Sequence, residues 1–298
     1  MAKQKWQRIH GPSSIFSIAP AGAAGWLIGS EQGVWRLDES GAESCFIVSE
    51  SLRPAAITAV AASPNFPDQP YLIVGAADGL ARSTDRGETW FTPAMPQRSH
   101  VSQIALSPHF AEDGIGFAAT LTDGVLVTTN HGQSWHAWNF GLLDLEVLTL
   151  AVSDRFAEDE TVIAGAGTGV FRSTNGGRAW RELAIDENAA PLSGVCFSQG
   201  VLVAGSENAG LFYSDDFGDT WQKRSAFRSG QISALGTSPD GSVLVVATPT
   251  VVAVSKDAGA HWTRTEGKTP TGIVSITALS DGSVLAGTQE EGLWKYEA

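Results

Sequence analysis

The sequence predicts an all-β fold, a seven-bladed β-propeller made of four-stranded antiparallel sheets. Two repeats carry this prediction. An octamer of the form S/T-x-D/N-x-G-x-x-W occurs five times, starting at residues 83, 128, 173, 214 and 255. A glycine followed by a large apolar residue lies four positions before most of these octamers and occurs again near both chain ends. A repeat of about 40 to 45 residues that holds several short strands is typical of a propeller blade.

The glycine–apolar pairs give the number of blades. The pairs are Gly33-Val34, Gly79-Leu80, Gly124-Val125, Gly169-Val170, Gly210-Leu211 and Gly292-Leu293, with Val251-Val252 in the corresponding place of the sixth unit. We therefore expect one propeller domain with blades at residues 14–50, 51–95, 96–140, 141–185, 186–226, 227–267 and 268–298. The first unit has a degenerate octamer, Asp38-Glu-Ser-Gly41, which lacks a tryptophan.

Alternating apolar and polar residues place the strands inside a unit. In the fourth unit, this pattern predicts strands over residues 147–152, 161–165, 169–173 and 179–183. A turn is expected at 153–160, and the octamer turns the chain between the third and fourth strands. The first strand of each unit is expected to lie nearest the axis of the ring.

The chain ends predict how the ring closes. The seventh unit stops at Ala298, before a fourth strand could form. The N-terminal segment Lys5-Trp-Gln-Arg-Ile9 resembles Thr220-Trp-Gln-Lys-Arg224, where the fourth strand of the fifth unit begins. We expect residues 1–10 to supply the missing outer strand of the last blade, with Trp6 in the place of the octamer tryptophan. This closure would remove an exposed sheet edge.

Each octamer is predicted to be a structural turn. Its Asp or Asn accepts backbone hydrogen bonds, its glycine takes a positive φ, and its tryptophan is buried between neighbouring sheets. The residues assigned to this role are Asp85, Trp90, Asn130, Trp135, Asn175, Trp180, Asp216, Trp221, Asp257 and Trp262. Two of the five positions are Asn, which lacks the negative charge that Ca²⁺ binding needs. Neither a metal site nor a cofactor is therefore predicted.

Composition bounds the possible partners. The chain has 298 residues, of which 19 are basic and 32 acidic, for a net charge of −13. Nucleic acid and anionic membrane surfaces attract the opposite charge, so neither is expected as a partner. No apolar run is long enough to span a membrane, and no secretory signal is apparent, so a cytoplasmic monomer is expected. Cys45 and Cys196 are predicted to be buried thiols rather than a disulfide.

The octamers resemble Asp-box, or BNR, repeats, and the resemblance covers almost the whole chain. Sialidases, other glycoside hydrolases, sortilin-type receptors and photosystem II stability/assembly factors carry such repeats. The last group is seven-bladed and non-catalytic, and it matches this chain in blade count and size. The turns Ser63-Pro-Asn-Phe66 and Ser107-Pro-His-Phe110 are similar to turns of uncharacterised bacterial Asp-box proteins. The repeat specifies a fold, and one fold hosts many functions.

Sialidase chemistry is disfavoured. The resemblance to sialidases implies an Arg-Ile-Pro motif near the N-terminus, where this chain has Arg8-Ile9-His10. Sialidases also use a tyrosine nucleophile, and Tyr71, Tyr213 and Tyr296 are not expected on first strands or on ligand-face loops. Other glycosidases need two carboxylates about 5 Å or about 6.5–9.5 Å apart. Acidic residues are expected on the loops that join strands two to three and four to one, but no pair stands out, and no catalytic residue is assigned.

Basic residues precede several first strands, at loops expected to converge on the axis. The candidates for ligand or partner binding there are Arg8, His10, Arg53, Arg98, His100, Arg228 and Lys268. Such a ring could bind an anion, a carboxylate ligand or an acidic partner tail. Trp138 and Phe140, in the most apolar loop of the chain, are candidates for a partner contact. In the alternative interpretation these residues are solvated loop positions, and the apolar loop folds onto its blade.

Three functions remain open from the sequence. The first is a non-catalytic scaffold or assembly factor that binds a protein partner or an anionic ligand on one face. The second is a glycan hydrolase or lyase that acts at the central pocket, and the third is a carbohydrate-binding module. A basic axial ring would favour the first function, a close carboxylate pair the second, and stacked aromatic side chains the third.

Overall fold

The computed structural model describes residues 5–38, 43–46, 56–66 and 68–298, with only the backbone described for Ala23 and residues 43–46. It contains seven antiparallel sheets, so the predicted number of blades is confirmed. Blade 1 contains β2 (Ile15–Pro20), β3 (Trp26–Ser30), β4 (Gly33–Leu37) and β5 (Glu43–Phe46). Blade 2 contains β6 (Ile57–Ala62), β7 (Leu72–Ala76) and β8 (Gly79–Ser83). Blade 3 contains β9 (Val101–Leu106), β10 (Ile115–Thr120), β11 (Val125–Thr129) and β12 (His136–Ala137).

The remaining blades continue the same order. Blade 4 contains β13 (Val147–Val152), β14 (Val162–Ala166), β15 (Val170–Ser173) and β16 (Arg181–Leu183). Blade 5 contains β17 (Leu192–Ser198), β18 (Val201–Ser206) and β19 (Gly210–Ser214). Blade 6 contains β20 (Ala234–Thr237), β21 (Leu244–Ala247), β22 (Val252–Ser255) and β23 (Thr263–Arg264). Blade 7 contains β24 (Ile273–Ala278), β25 (Val284–Thr288), β26 (Leu293–Tyr296) and, from the N-terminus, β1 (Trp6–Ile9).

The strands of the fourth unit lie where the sequence places them, within two residues at each end. The turns after the first strands of blades 3 and 4 each contain a four-residue helix, α1 (Phe110–Asp113) and α2 (Phe156–Asp159), and blade 1 has a 3-10 turn at Gly22–Ala24. Blades 2 and 5 have three full strands, and their fourth strand is reduced to the single bridges Arg82↔Phe91 and Tyr213↔Gln222. In the part of the chain that the structure describes, no helix could cross a membrane.

The first strands of the blades form a closed ring around the axis. Each contacts the first strand of the next blade, and β24 of blade 7 contacts β2 of blade 1. Polar side chains join these strands, as where the Thr58 hydroxyl donates to the carbonyl of Val101 at 2.6 Å. Likewise the Gln103 side-chain oxygen accepts the N–H of Leu150 at 2.8 Å. Side-chain-to-backbone hydrogen bonds therefore join the first strands of neighbouring blades around the axis and fix their spacing.

Second-strand glycines allow the blades to approach closely near the axis. A Cβ at Gly75 would lie 2.5 Å from a methyl carbon of Val101, in the next blade. A Cβ at Gly287 would lie 2.5 Å from Ile15, across the junction of blades 7 and 1. Real Cβ atoms do not make such short contacts, so only glycine fits the spacing of these strands.

The N-terminal strand completes blade 7, as predicted. Strand β1 pairs antiparallel with β26, with Trp6 opposite Tyr296 and Ile9 opposite Leu293. The Trp6 side chain is only 1% exposed, and its ring centroid lies 5.3 Å from that of Tyr296. Its indole N–H donates to the Thr265 hydroxyl of blade 6 at 3.3 Å. Trp6 therefore occupies the junction of blades 6 and 7, where an octamer tryptophan would lie.

We expect Trp6→Ala to destabilise the fold by about 3–5 kcal/mol, because it removes a fully buried aromatic side chain from the closing junction. Deletion of residues 1–10 should be at least as damaging, since blade 7 then loses its outer strand. Thermal and denaturant unfolding would measure both effects, with Gln7→Ala, an exposed position on the same strand, as the control. A melting temperature that does not change on loss of Trp6 would contradict closure by β1.

Candidate functional site

The five octamers form the same hydrogen-bonded turn. The Ser or Thr hydroxyl donates to the Asp or Asn side chain at 2.7–2.9 Å. The same hydroxyl oxygen accepts the N–H of the octamer glycine at 2.7–2.9 Å. The Asp or Asn oxygen also accepts the N–H of the residue before the tryptophan at 2.8–3.0 Å. Both side chains are thus occupied in holding the turn.

These bonds hold two consecutive residues at positive φ. The fourth octamer position has φ between 50° and 66°, and the glycine that follows has φ between 77° and 93°. The fourth position is Arg86, His131, Gly176, Phe217 or Ala258, so four of the five turns force a side chain into the left-handed region. The hydrogen bonds around each turn offset that strain.

The hydrogen bonds of the turn stabilise the charged form of the octamer aspartates. Hydrogen bonds from the hydroxyl and N–H of Thr220 and from Ser214 lower the pKa of Asp216 to about 2. Bonds from the N–H and ring of His261 and from Ser255 likewise lower the pKa of Asp257 to about 2. Within the described ranges, no group of three or more His, Cys, Asp or Glu side chains is placed to hold a metal ion.

The tryptophans of the octamers pack in the junctions between blades. Each lies in the apolar cluster that its own blade shares with the preceding one: Trp90, Trp135, Trp180, Trp221 and Trp262. Trp135 is 1% exposed, while Trp221 and Trp262 are half-buried. The indole N–H of Trp180 donates to the Trp138 carbonyl of blade 3 at 2.8 Å, so the contact reaches the outer end of the neighbouring sheet.

A cavity of about 1100 Å³ lies at the axis of the ring. It opens on the face that carries the octamers and the turns between first and second strands, which we call the box face. Its wall includes the small side chains Ala19, Ala61 and Ala62 at the ends of the first strands. The basic residues that precede the first strands are expected on the opposite face, where the chain passes from fourth to first strands. There, however, second-strand glycines bring neighbouring blades into contact, and the large cavity opens at the other end.

Turn residues form the mouth of this cavity. Three of them are prolines, Pro64, Pro108 and Pro239, in the turns of blades 2, 3 and 6, and Pro20 ends the first strand of blade 1. Asp154 takes the same place in blade 4. Burial, together with the nearby charge of Asp159, raises the pKa of Asp154. The mouth therefore combines a rigid apolar rim with one carboxylate whose charged form is disfavoured.

The predicted basic ring does not gather around this cavity. Of the nine predicted ligand or partner residues, Arg8 alone is among the described lining residues. Arg98 lies 3.6 Å from Asp78, as an exposed ion pair beside a smaller pocket of about 200 Å³. His10, Arg228 and Lys268 are exposed, and His100 is half-buried. Arg53 lies outside the described residues.

Trp138 and Phe140 lie at the rim of the ring rather than on the axis. Both of their carbonyl groups accept hydrogen bonds from Trp180 of blade 4, at 2.8 Å from its indole N–H and its backbone N–H. The Arg178 guanidinium lies 5.5 Å from the Trp138 ring. The backbone of this loop is thus attached to the neighbouring octamer, while the side chains of Phe140 and Leu143 remain 81% and 79% exposed.

Several acidic residues on the opposite face hold loops together. Glu31 accepts the backbone N–H groups of Ser13 and Ser14 at 3.0 and 2.9 Å. Asp144 accepts the N–H and hydroxyl of Thr168 at 2.9 and 2.8 Å. These carboxylates therefore hold the local structure of the loops on this face.

The three tyrosines and Cys196 lie outside the described wall of the axial cavity. Tyr213 and Tyr296 lie on third strands, and Tyr71 precedes a second strand. Burial raises the pKa of Tyr213 to about 12. Burial, with a contribution from Asp154, also raises the pKa of the Cys196 thiol to about 12. A thiol with so high a pKa is a structural rather than a reactive cysteine.

Comparison with known proteins agrees with this geometry. The family model for the BNR/Asp-box repeat matches residues 212–223, which contain the octamer of blade 5. This chain is a seven-bladed propeller with a BNR/Asp-box repeat in blade 5. Among solved structures, YCF48 bound to a D1 peptide superimposes with a TM-score of 0.74 at 15% identity, covering 100% of this chain and 98% of that one. The propeller therefore matches YCF48 over nearly the full length of both chains.

Two xyloglucanases are similar as well. The GH74 xyloglucanase from Xanthomonas campestris superimposes with a TM-score of 0.77 at 16% identity, covering 98% of this chain and 53% of the enzyme. In sequence, a xyloglucanase from Paenibacillus sp. is 23% identical over 271 residues, covering 70% of this chain and 26% of the enzyme. The propeller thus spans about a quarter of the length of that relative.

We expect the octamer carboxylates to make the fold sensitive to acid. Because the pKa of Asp216 and of Asp257 in the fold, about 2, lies below the ordinary 3.8, these two carboxylates stabilise the fold above pH 4, and this contribution is lost as the pH falls towards 2. Asp216→Asn should change the melting temperature little at pH 7, since Asn130 and Asn175 form the same turn. It should also make the decline below pH 4 shallower.

The reciprocal variant Asn130→Asp serves as the control and should make the same decline steeper. Melting temperatures measured across this pH range would decide the point. Equal acid slopes for wild type and both variants would contradict the assignment of acid sensitivity to these turns.

Proposed function

We propose that this propeller is a non-catalytic scaffold that holds a peptide segment of a partner protein in the axial cavity, on the box face. The size of that cavity is the observation that carries the proposal. Its volume of about 1100 Å³ lies just above the about 300–1,000 Å³ usual for small-molecule pockets. A space of this size, open at the mouth and lined by both apolar and polar side chains, suits a peptide segment.

The mouth supports peptide binding in a second way. Prolines at Pro64, Pro108 and Pro239 fix the backbone of its turns, so little conformational freedom is lost when a ligand binds. The Asp154 carboxylate, whose pKa is raised by burial, gains most from a basic side chain placed beside it. The preferred segment therefore carries apolar residues together with a Lys or Arg.

Similarity to YCF48 also supports peptide binding. That protein, solved with a D1 peptide bound, is matched over almost its whole length. This chain covers 53% of the length of the matched xyloglucanase from Xanthomonas campestris, so that enzyme extends well beyond the matched propeller. The match thus covers nearly all of the peptide-bound protein and about half of this xyloglucanase.

Selection of peptides from a random library on the immobilised protein would test the proposal. Ala62→Trp places a large side chain on the cavity wall, and the same substitution at the exposed Ala77, in the turn after β7 on the opposite face, is the matched control. We expect selected peptides to bind Ala62→Trp at least about tenfold more weakly, about 1.4 kcal/mol, and to bind Ala77→Trp like wild type.

A further pair of variants tests the role of charge. Asp154→Asn should weaken binding of peptides that contain Lys or Arg, while Glu158→Gln, an exposed position on α2, should not. Failure to select any peptide, or peptides whose affinity ignores Ala62→Trp, would refute peptide binding at this cavity.

Glycan binding or cleavage is the second candidate, and one observation favours it. The cavity wall contains an aromatic ring, Trp26, together with the carboxylates of Asp38, Asp154 and Glu297. Aromatic rings stack on sugars, and paired carboxylates carry glycoside hydrolysis. Xyloglucan oligosaccharides incubated with the protein should release new reducing ends if it is an enzyme, and Asp154→Asn should abolish this release. Binding that requires Trp26 without any release would indicate a carbohydrate-binding module.

A further inference from the structure

The outer edge of blade 2 is incomplete at the end that lies on the face opposite the box face. Its fourth strand is reduced to one bridge, in which Arg82 and Phe91 exchange two backbone hydrogen bonds of 2.8 Å. In an antiparallel strand, the hydrogen-bonding groups of alternate residues point to the same side. The N–H and C=O groups of Leu80, two residues before Arg82, therefore also point outward, away from β7.

In the other six blades, the residue that corresponds to Leu80 has a partner on this side. Three of these residues are paired with a fourth strand: Val34 with Phe46, Val170 with Leu183 and Leu293 with Ile9. In blades 5 and 6 the bond is to a following loop or strand: Leu211 donates to the Phe227 carbonyl at 2.8 Å, and Val252 accepts from Thr265 at 2.9 Å. The outward groups at this position are thus normally bonded.

Blade 3 resembles blade 2 most directly, because their octamers begin at residues 83 and 128, 45 apart. In blade 3 the partner is a carboxamide side chain. The Asn139 side-chain oxygen accepts the N–H of Val125 at 2.9 Å, and its amide nitrogen donates to the Asp123 carbonyl at 2.8 Å. The carbonyl of Val125 accepts the N–H of Trp138 at 3.2 Å.

Blade 2 has neither of the groups that satisfy the equivalent residue of blade 3. Pro93 takes the place of the tryptophan and has no N–H, and Ala94 takes the place of the asparagine and has no amide. Leu80 is 0% exposed. Among the described residues outside β7, none forms a hydrogen bond with its N–H or C=O group. Buried backbone groups are nearly always paired, so this edge offers one donor and one acceptor to a ligand.

A pocket of about 200 Å³, which we call the edge pocket, lies at this place. Gly79 and Leu80 line one side, and Thr92, Pro93 and Met95 line the other. The outward groups of Leu80 therefore face the pocket. None of the residues that line the edge pocket lines the axial cavity, so the two sites are separate.

The size and charge of the edge pocket favour a neutral polar side chain. Its volume is below the about 300–1,000 Å³ usual for small-molecule pockets, so it suits one side chain. Arg98 and Asp78 lie 3.6 Å apart on its wall, so an entering ion of either sign meets one like charge. A primary carboxamide carries an acceptor and a donor side by side, which matches the N–H and C=O of one extended residue.

We propose that the edge pocket binds the carboxamide side chain of an asparagine or glutamine of a partner protein. The carboxamide oxygen accepts the N–H of Leu80, and the carboxamide nitrogen donates to the C=O of the same residue. In blade 3, Asn139 shows that this chain uses a carboxamide against the same strand edge. The site goes beyond the axial cavity and gives the propeller a second contact surface on the opposite face.

Acetamide, the asparagine side chain without its backbone, is the probe for this site. In protein labelled with ¹⁵N-leucine, the Leu80 amide resonance is identified by its loss in Leu80→Val, which introduces the residue that blade 3 has at Val125. We expect acetamide to shift this resonance in a saturable way. Acetone accepts a hydrogen bond but donates none, so it should bind at least about tenfold more weakly. Equal binding of both compounds, or no saturable shift with acetamide, overturns the proposal.

Matched variants separate the pocket from the rest of the surface. Thr92→Phe places a large side chain on the pocket wall and should abolish the acetamide-dependent shift. Ala137→Phe makes the corresponding change at an exposed position of blade 3 and should leave the shift intact. If Thr92→Phe does not fold, Gln97→Trp, at an exposed position of the same wall, replaces it. A shift that survives in the folded wall variant contradicts binding in the edge pocket.

Blade 3 supplies a positive control for the probe. Asn139→Ala removes the carboxamide that bonds Val125, so it should lower the melting temperature, and acetamide should partly restore it. In protein labelled with ¹⁵N-valine, acetamide should shift the Val125 amide resonance of this variant and not that of wild type. Binding of acetamide to Asn139→Ala at Val125, without binding to wild type at Leu80, would overturn the edge pocket with a probe known to work.

Peptides selected from the random library identify the source of the carboxamide. Those weakened by Thr92→Phe should contain Asn or Gln, and replacement of that residue by Leu should weaken binding at least about tenfold. Acetamide binding without any such peptide would indicate a small-molecule amide and overturn a protein partner. Ala62→Trp, on the wall of the axial cavity, should leave these peptides unaffected. The edge pocket and the proposed function are therefore tested by different variants and fail separately.

Discussion

The wedge shape of the junctions between blades is the constraint on which the rest of this structure depends. Each sheet has two apolar faces, and both must be covered by neighbouring sheets. The blades radiate from an axis, so the gap between them is narrow inside and wide outside. Near the axis, glycine at Gly287 lets Ile15 approach closely. Farther out, the gap needs a large side chain, and tryptophan buries the most apolar area.

The polar part of each octamer serves this packing. A tryptophan can enter the junction only if the chain reverses sharply just before it, and the reversal puts two residues at positive φ. Ser or Thr and Asp or Asn together accept and donate the bonds that hold this backbone. The strained turn directs the indole into the junction. For this reason the motif needs both the polar residues at its start and the tryptophan at its end.

The sequence predicts the fold well because the repeat encodes local interactions. The octamer turn is made within eight residues, and the ring follows from counting units, so both blade number and the role of Trp6 could be derived without a structure. The position of the cavity could not be derived in this way. Its position depends on where small residues such as Ala61 and Ala62 meet across blades, which spacing along one chain does not reveal. The bond from the Trp180 indole to the Trp138 carbonyl likewise joins two different blades, so spacing along the chain does not reveal it.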